Sequence, residues 1–129
     1  MPEPFQYAVF RVVPRIEREE FLNAGVILFC RTCGYLAARV GVDRDRLLAL
    51  APGANVAAIE EHLEARARTA AGDADAGPIA ALSQSERFHW LVAPSSTVIQ
   101  SSPVHSGLCE DPEQTLEHLF KSLVNVDGV

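Results

Sequence analysis

Two stretches of apolar residues near the start of the chain have the length and composition of β-strands. Residues 7–13 and 25–30 are rich in β-branched and aromatic side chains, which favours strands over helices in runs this short. The first ends at Pro14, which cannot donate to a β-ladder. A turn over 31–34 leads to a third strand over 35–42. Strands this close in sequence pair antiparallel, because parallel pairs need long crossover connections.

The rest of the chain has mainly helical spacing, with one further strand predicted over 97–100. Trp90 is expected to anchor the third helix in the core through its large apolar ring. The stretch 70–78 contains no large apolar residue and predicts a flexible loop within the domain. Helix starts are marked by residues that accept hydrogen bonds from free backbone N–H groups: Asp43, Asn55, Ser83 with Glu86, and Asp111 followed by Pro112.

These elements predict one α+β domain over residues 1–129. The expected architecture is a mainly antiparallel sheet of about four strands. Three to four helices should pack on one face or at one end of that sheet. At 48% apolar and 22% charged, the composition is that of a chain that folds around its own core.

Charge and cysteine content exclude several classes of protein. The net charge is −6 and the basic residues are scattered, which argues against nucleic-acid binding and against an acidic membrane surface as partner. No apolar stretch approaches the ~20 residues of a membrane span. The N-terminus lacks the pattern of a secretory signal, and three cysteines do not suggest a disulfide framework. We therefore expect a cytoplasmic protein; its oligomeric state stays open.

Cysteine spacing offers one candidate metal site. Cys30 and Cys33 form a C-x-x-C pair, and His105 and Cys109 lie four residues apart further on. Together they have the ligand types of a tetrahedral zinc site. The favoured interpretation is simpler: Cys30 completes a buried apolar strand and Cys33 lies in the turn. A redox pair is disfavoured because such pairs are expected at a helix N-terminus. No metal and no cofactor is expected.

The polar segment 95–109 is the second candidate, because hydroxyl, amide and imidazole groups are concentrated there behind Arg87 and His89. His105 near a serine suggests a base and a nucleophile, with Arg87 as an anion clamp. The alternative is that these hydroxyls cap turns and satisfy backbone groups. Neither a G-x-S-x-G elbow nor a P-loop is present. We commit to no catalytic residue.

The charged run 15–23 is the third candidate. Its carboxylates are suited to binding a divalent cation or to acting as general acid and base, with Glu20 as the catalytic candidate. The alternative is that the run forms a solvent-exposed edge of the sheet. Sequence alone does not show whether this run meets the His105 segment. The predicted binding residues of the second and third candidates are Arg15, Glu17, Glu20, Asn23, Arg87, His89, Gln100, Ser102, His105 and Ser106.

Several motifs are distinctive: YAVFRVVPR over 7–15, EREEF over 17–21 followed by Asn23-x-Gly25-Val26, ERFHWL over 86–91, and SPVHSGL over 102–108 followed by Asp111-Pro112. They resemble the motifs of the domain of unknown function 3037 family, and the resemblance covers almost the whole chain. Family members often have Pro-Arg-Ser after the tryptophan helix, whereas this chain has Ser95 in place of that arginine.

The resemblance implies a bacterial protein but no reaction. Genes of the family often lie beside one for a HipA-like serine/threonine kinase, which implies a small accessory partner in a toxin–antitoxin-like pair. We therefore expect a non-catalytic interaction or regulatory partner of such a kinase. The alternative expectation is a small hydrolase or phosphate-processing enzyme that uses His105 and Arg87.

Overall fold

Strand β1 (Glu3–Val12) lies at the centre of a five-stranded antiparallel sheet. The computed structural model describes residues 1–95 and 97–125, so Ser96 of the polar segment lies outside the described residues. One side of β1 pairs with β2 (Leu22–Cys30), which pairs with β3 (Tyr35–Val40). The β1–β2 register shifts once, between Phe10 and Arg11, which makes a β-bulge.

The other side of β1 pairs with two short strands, one after the other. Strand β4 (Ile99–Ser101) pairs with the C-terminal end of β1, and β5 (His105–Cys109) pairs with its N-terminal half. Between them, the Ser102 hydroxyl accepts a hydrogen bond from the Val9 backbone N–H at 2.8 Å. The Ser102 N–H in turn donates to the Val9 carbonyl. Ser102 therefore continues the pairing with β1 across the gap between β4 and β5. Its backbone N–H and its side-chain hydroxyl both bond to the backbone of Val9.

Four α-helices connect and cover the strands, and each begins at the capping residue predicted for it. Asp43, Asn55, Ser83 and Asp111 all accept hydrogen bonds from first-turn N–H groups, and Ser83 with Glu86 forms a complete capping box. The helices are α1 (Arg44–Leu50), α2 (Val56–Ala71), α3 (Gln84–Val92) and α4 (Pro112–Leu123). Single 3-10 turns lie at Ile16–Arg18, Ala74–Ala76 and Pro78–Ala81.

The core has two layers, one on each face of the sheet. Alternate β1 residues such as Phe10 point to the first face, where they pack with Leu63 of α2 and Phe88 of α3. Leu28 and Phe120 belong to the second layer, which lies between the sheet and α4. Helix α4 packs mainly on β2 and β3, so the part of this face formed by β1, β4 and β5 retains exposed residues.

The predicted α+β class and single antiparallel sheet are confirmed, with two differences. The sheet has a fifth strand, β5, which was not predicted because of its polar composition. The strand predicted over 97–100 begins later, at Ile99. Helices also pack on both faces rather than on one, because β2 is apolar on both sides and needs cover on each. The flexibility of 70–78 stays a prediction; Ala70 is buried at the end of α2.

Trp90 does not anchor the core as expected. It is 54% exposed on α3, while Phe88 on the same helix is buried. In the part of the chain that the structure describes, no helix has the length and hydropathy needed to cross a bilayer.

Candidate functional site

Five side chains that are at least partly exposed lie on the α4 side of the sheet, in two neighbouring groups beyond the area that α4 covers. We call this group the edge surface: Tyr7, Arg11, Phe21, Gln100 and His105. Residues directly opposite each other in an antiparallel pair point to the same face. Tyr7 faces His105 across β1 and β5, and Arg11 faces Gln100 across β1 and β4. The strand register therefore determines which side chains meet here.

One end of the edge surface is an aromatic pair. The rings of Tyr7 and His105 lie with their centroids 5.2 Å apart, tilted by 37°. His105 is exposed, and in residues 1–95 and 97–125 no carboxylate lies within ion-pair distance of it. His105 consequently lacks the orienting carboxylate that a histidine base in a triad uses. Its ring instead packs against Tyr7 while the side chain stays exposed.

The other end of the edge surface is built on Arg11. Its guanidinium carbon lies 4.2 Å from the centroid of the Phe21 ring, a cation–π contact. Phe21 is itself 46% exposed, so the stack is at the surface. The Nε atom of Arg11 is buried without a hydrogen-bond partner in the described part of the chain. Gln100 lies beside it, with its amide nitrogen donating to the Thr97 carbonyl at 2.9 Å.

Gly107 places β5 against β1. A Cβ atom at this position would lie 2.8 Å from two ring atoms of Phe5, closer than carbon atoms pack. The Phe5 ring therefore lies directly over the glycine, and this contact holds the strand that carries His105. The glycine of the Ser-Pro-Val-His-Ser-Gly-Leu motif is thus explained by close packing on its neighbour in β1.

We expect Gly107→Ala to lower the free energy of unfolding by about 1–3 kcal/mol, because the added methyl group overpacks against Phe5. Chemical denaturation followed by circular dichroism measures this change. Gly53→Ala is the matched control, since a Cβ there meets nothing within 4 Å. Equal stability of the two variants would contradict the close approach of Phe5 and Gly107.

The charged run 15–23 lies at a different place from His105. Glu20 precedes β2, whose first residue pairs with Val12, whereas His105 pairs with Tyr7. These two β1 positions are five residues apart, or about 16 Å along a strand. Arg18 donates a hydrogen bond to Glu20 at 2.5 Å, and this bond holds the pKa of the Glu20 carboxyl below its usual value.

The remaining residues of that run serve local contacts. Arg15 and Glu17 form an exposed ion pair at 3.7 Å. Asn23 lies on the α4 side of β2, and its amide donates to the Leu123 carbonyl at 3.0 Å. That bond ties the start of β2 to the end of α4. Apart from Phe21, which belongs to the edge surface through its contact with Arg11, the run therefore does not join the His105 segment in one site.

Arg87 and His89 lie on α3, which packs on the opposite face of the sheet from the edge surface. Arg87 donates to the carbonyls of Leu82 and Ala70, at 2.7 and 3.3 Å, and so holds the connection between α2 and α3. A ring nitrogen of His89 lies 2.7 Å from the Ser85 carbonyl. Because Arg87, Glu20 and His105 occupy three separate places, they do not form a common catalytic site.

Ser102 and Ser106, two of the predicted binding residues in the polar segment, do not belong to the edge surface. The Ser102 side chain is buried at 4% exposure, and both of its hydroxyl contacts are to backbone groups. Ser106 is exposed but lies opposite Gln6, on the other face of the sheet from His105. Of the predicted binding residues, the structure thus brings Gln100 and His105 to one surface and places Ser102 beneath it.

Three cysteines gather at one end of the sheet without forming a metal site. The Sγ atoms of Cys30 and Cys33 are 2.7 Å apart, and Cys109 lies close enough to Cys30 to affect its titration. His105 is four residues from Cys109 along β5, about 13 Å, so it does not complete the predicted zinc set. No group of three or more metal-binding side chains that could hold an ion occurs within 1–95 and 97–125.

A cleft of about 660 Å³ lies on the other side of the sheet, between α2 and the end of β1. Its lining is mainly apolar and includes Ile59 and Val98, with Arg15, Asn55 and His62 as polar residues. Burial and the nearby charge of Arg66 lower the pKa of His62, which favours a neutral imidazole. The size is that of a small-ligand pocket, but none of the edge-surface residues reaches it.

Sequence reasoning missed Tyr7, Arg11 and Phe21. The available signal was the period of two in β1, which places Tyr7 and Arg11 on one face. A second signal was Arg11 itself, a charged residue within an apolar strand. A strand residue of this kind is expected at an exposed edge or a binding surface.

The fold and this surface define a small α+β domain with one partly exposed sheet face. The family model described as Protein of unknown function (DUF3037) matches residues 7–124. The chain therefore belongs to that family. No curated protein and no solved structure matches it.

Proposed function

We propose that this protein is a non-catalytic partner of a HipA-like serine/threonine kinase and that it binds the kinase through the edge surface. The observation that supports this most is the arrangement around Arg11 and His105. Both present polar groups beside aromatic rings, and within residues 1–95 and 97–125 neither forms an ion pair with a carboxylate.

The composition of the edge surface suits a protein partner. Tyr, Phe and Arg are enriched at the centres of protein–protein interfaces, where rigid rings bury large areas at small entropic cost. Here two aromatic residues and one arginine lie together beside exposed His105. The surface is a sheet face rather than a closed pocket, and flat surfaces are typical of protein contacts.

The charge of the edge surface indicates what the partner presents. The buried Nε of Arg11 has no hydrogen-bond acceptor in residues 1–95 and 97–125. The edge surface contains Arg11 and His105 but no acidic residue, although the whole chain carries a net charge of −6. A carboxylate of the kinase would accept charge-assisted hydrogen bonds from the terminal guanidinium nitrogens of Arg11, since the Nε is buried, and such bonds are stronger than neutral ones.

We expect Arg11→Gln with His105→Ala to weaken capture of the purified kinase about tenfold or more. That factor corresponds to the loss of about 1.4 kcal/mol of binding energy. Titration calorimetry or surface capture of the two purified proteins measures the affinity. The Arg11→Gln change keeps a side chain that can stack on Phe21, so that loss of binding is separated from loss of folding.

The matched control is Arg46→Gln with His89→Ala, which removes the same residue types from α1 and α3 on the opposite face. This control should bind like wild type. Loss of binding in the control alone would place the contact on the opposite side of the sheet. Absence of binding by the folded wild-type protein would refute the kinase partnership.

A further inference from the structure

The β2–β3 hairpin brings two thiols to within reach of a covalent bond. Cys30 is the last residue of β2, and Cys33 lies in the turn that follows. Their Sγ atoms are 2.7 Å apart, whereas a disulfide bond is about 2.05 Å long. A small movement of the side chains thus suffices to join them. All three cysteines of the chain are free thiols in this structure.

The backbone of the turn already holds this geometry. The Gly34 N–H donates to the Arg31 carbonyl at 3.1 Å, which closes the turn. Gly34 has a φ of 62°, in the left-handed region that glycine adopts without steric cost. On the strand side, Cys30 pairs with Tyr35 in the β2–β3 ladder. The two sulfurs are consequently held together by a closed hairpin and not by chance contact of mobile side chains.

The two thiols differ in access and in acidity. Cys33 is exposed, whereas Cys30 and Cys109 are buried. Burial acts to raise the pKa of Cys30, but hydrogen bonds from Cys33 and Thr32 outweigh it and lower the pKa. The hydrogen bond with Cys30 is the main cause that raises the pKa of the exposed Cys33 thiol to about 11. An external reagent therefore meets Cys33 first, and Cys30 is the better nucleophile for a second step.

We propose that Cys30 and Cys33 are a site of reversible disulfide formation, oxidised by low-molecular-weight disulfides such as oxidised glutathione. In the first step the Cys33 thiolate attacks oxidised glutathione, forms a mixed disulfide and releases one glutathione. The Cys30 thiolate then attacks the Cys33 sulfur, forms the intramolecular disulfide and releases the second glutathione. Both cysteine protons end on the two glutathione molecules, and the two protein sulfurs are oxidised as glutathione disulfide is reduced.

The order of these steps predicts which species accumulate. The first step is slow at neutral pH, because little Cys33 is deprotonated when its pKa is about 11. The second is fast, because Cys30 is already 2.7 Å away. The mixed disulfide therefore does not accumulate in the wild-type protein. In Cys30→Ser it has no second thiol to resolve it and persists on Cys33.

The test is to incubate the folded full-length protein with oxidised and reduced glutathione in graded ratios. Free thiols are then blocked with an alkylating reagent, and the products are mapped by mass spectrometry. In wild type, the number of free thiols should fall from three to one. The protein loses two hydrogens without gaining glutathione, and Cys30 is linked to Cys33. Reduced dithiothreitol should restore all three thiols.

Three variants make the result specific. Cys30→Ser should carry one stable glutathione on Cys33, Cys33→Ser should carry none, and Cys109→Ser should form the disulfide as wild type does. A stable glutathione adduct on wild-type Cys33 would overturn the proposal, as would a Cys30–Cys109 linkage. Wild-type protein that keeps three free thiols at the most oxidising ratio would overturn it too.

Discussion

Phe88→Ala is expected to lower the free energy of unfolding by about 3–5 kcal/mol. Phe88 is 1% exposed, and its ring centroid lies 5.3 Å from that of Phe29, in the core between α3 and the sheet. Truncation removes this buried aromatic contact and leaves a cavity that neighbouring side chains fill only in part. A loss this large is a substantial part of the stability of a small domain.

The matched control is Trp90→Ala, two residues away on the same helix. Because Trp90 is 54% exposed, we expect its removal to change stability by less than about 1 kcal/mol. Urea denaturation followed by far-ultraviolet circular dichroism suits both variants, since the control removes the only tryptophan. Equal losses in the two variants would mean that α3 does not present Phe88 to the sheet.

Ser102→Ala is expected to destabilise the protein by about 1–3 kcal/mol, although only one oxygen atom is removed. The change leaves the Val9 N–H buried without its acceptor, and an unsatisfied buried donor loses its hydration without compensation. The amide of Val9 should also exchange with solvent faster than its neighbours in β1. Equilibrium denaturation and hydrogen exchange measure the two effects.

Ser106→Ala serves as the control for Ser102→Ala, because Ser106 lies in the same segment but is exposed. Its removal should leave both the stability and the exchange of Val9 unchanged. If Ser102→Ala were as stable as this control, the side-chain bridge between β1 and the polar segment would be refuted.

Local signals account for most of what the sequence predicted correctly. Asp111 followed by Pro112 marks the start of α4, and the structure shows Asp111 accepting from two first-turn N–H groups. The continuous apolar run over 25–30 correctly indicated a buried strand, which the structure shows as part of β2. Such features depend only on neighbouring residues, and they therefore appear in the sequence without knowledge of tertiary contacts.

Errors arose where tertiary contacts decide the outcome. Strand β5 has no alternation of apolar and polar residues, and it is a strand because Phe5 and Tyr7 of β1 provide its partners. Trp90 was expected in the core on account of its size. Two residues on a helix are about 200° apart around the axis, so Phe88 and Trp90 point to opposite sides, and the sheet can bury only one of them.

The candidate site was predicted in part, because its members come from strands that are distant in sequence. His105 and Gln100 were identified from their polar segment, whereas Tyr7 and Arg11 required the register of β1 with β4 and β5. Arg87 carried a predicted binding role, but its guanidinium bonds to backbone carbonyls. The composition of a segment does not reveal whether a polar side chain already makes hydrogen bonds within the fold.

The central position of β1 has a consequence for synthesis of the protein. One edge of β1 pairs with β2, the next strand along the chain. The other edge pairs with residues about a hundred positions later, as the 93-residue separation of Val9 and Ser102 shows. During translation, that second edge stays unpaired until residues 99–109 have left the ribosome. Long-range pairing of this kind slows folding, and the nascent hairpin meanwhile presents an open strand edge for which chaperones and other nascent chains compete.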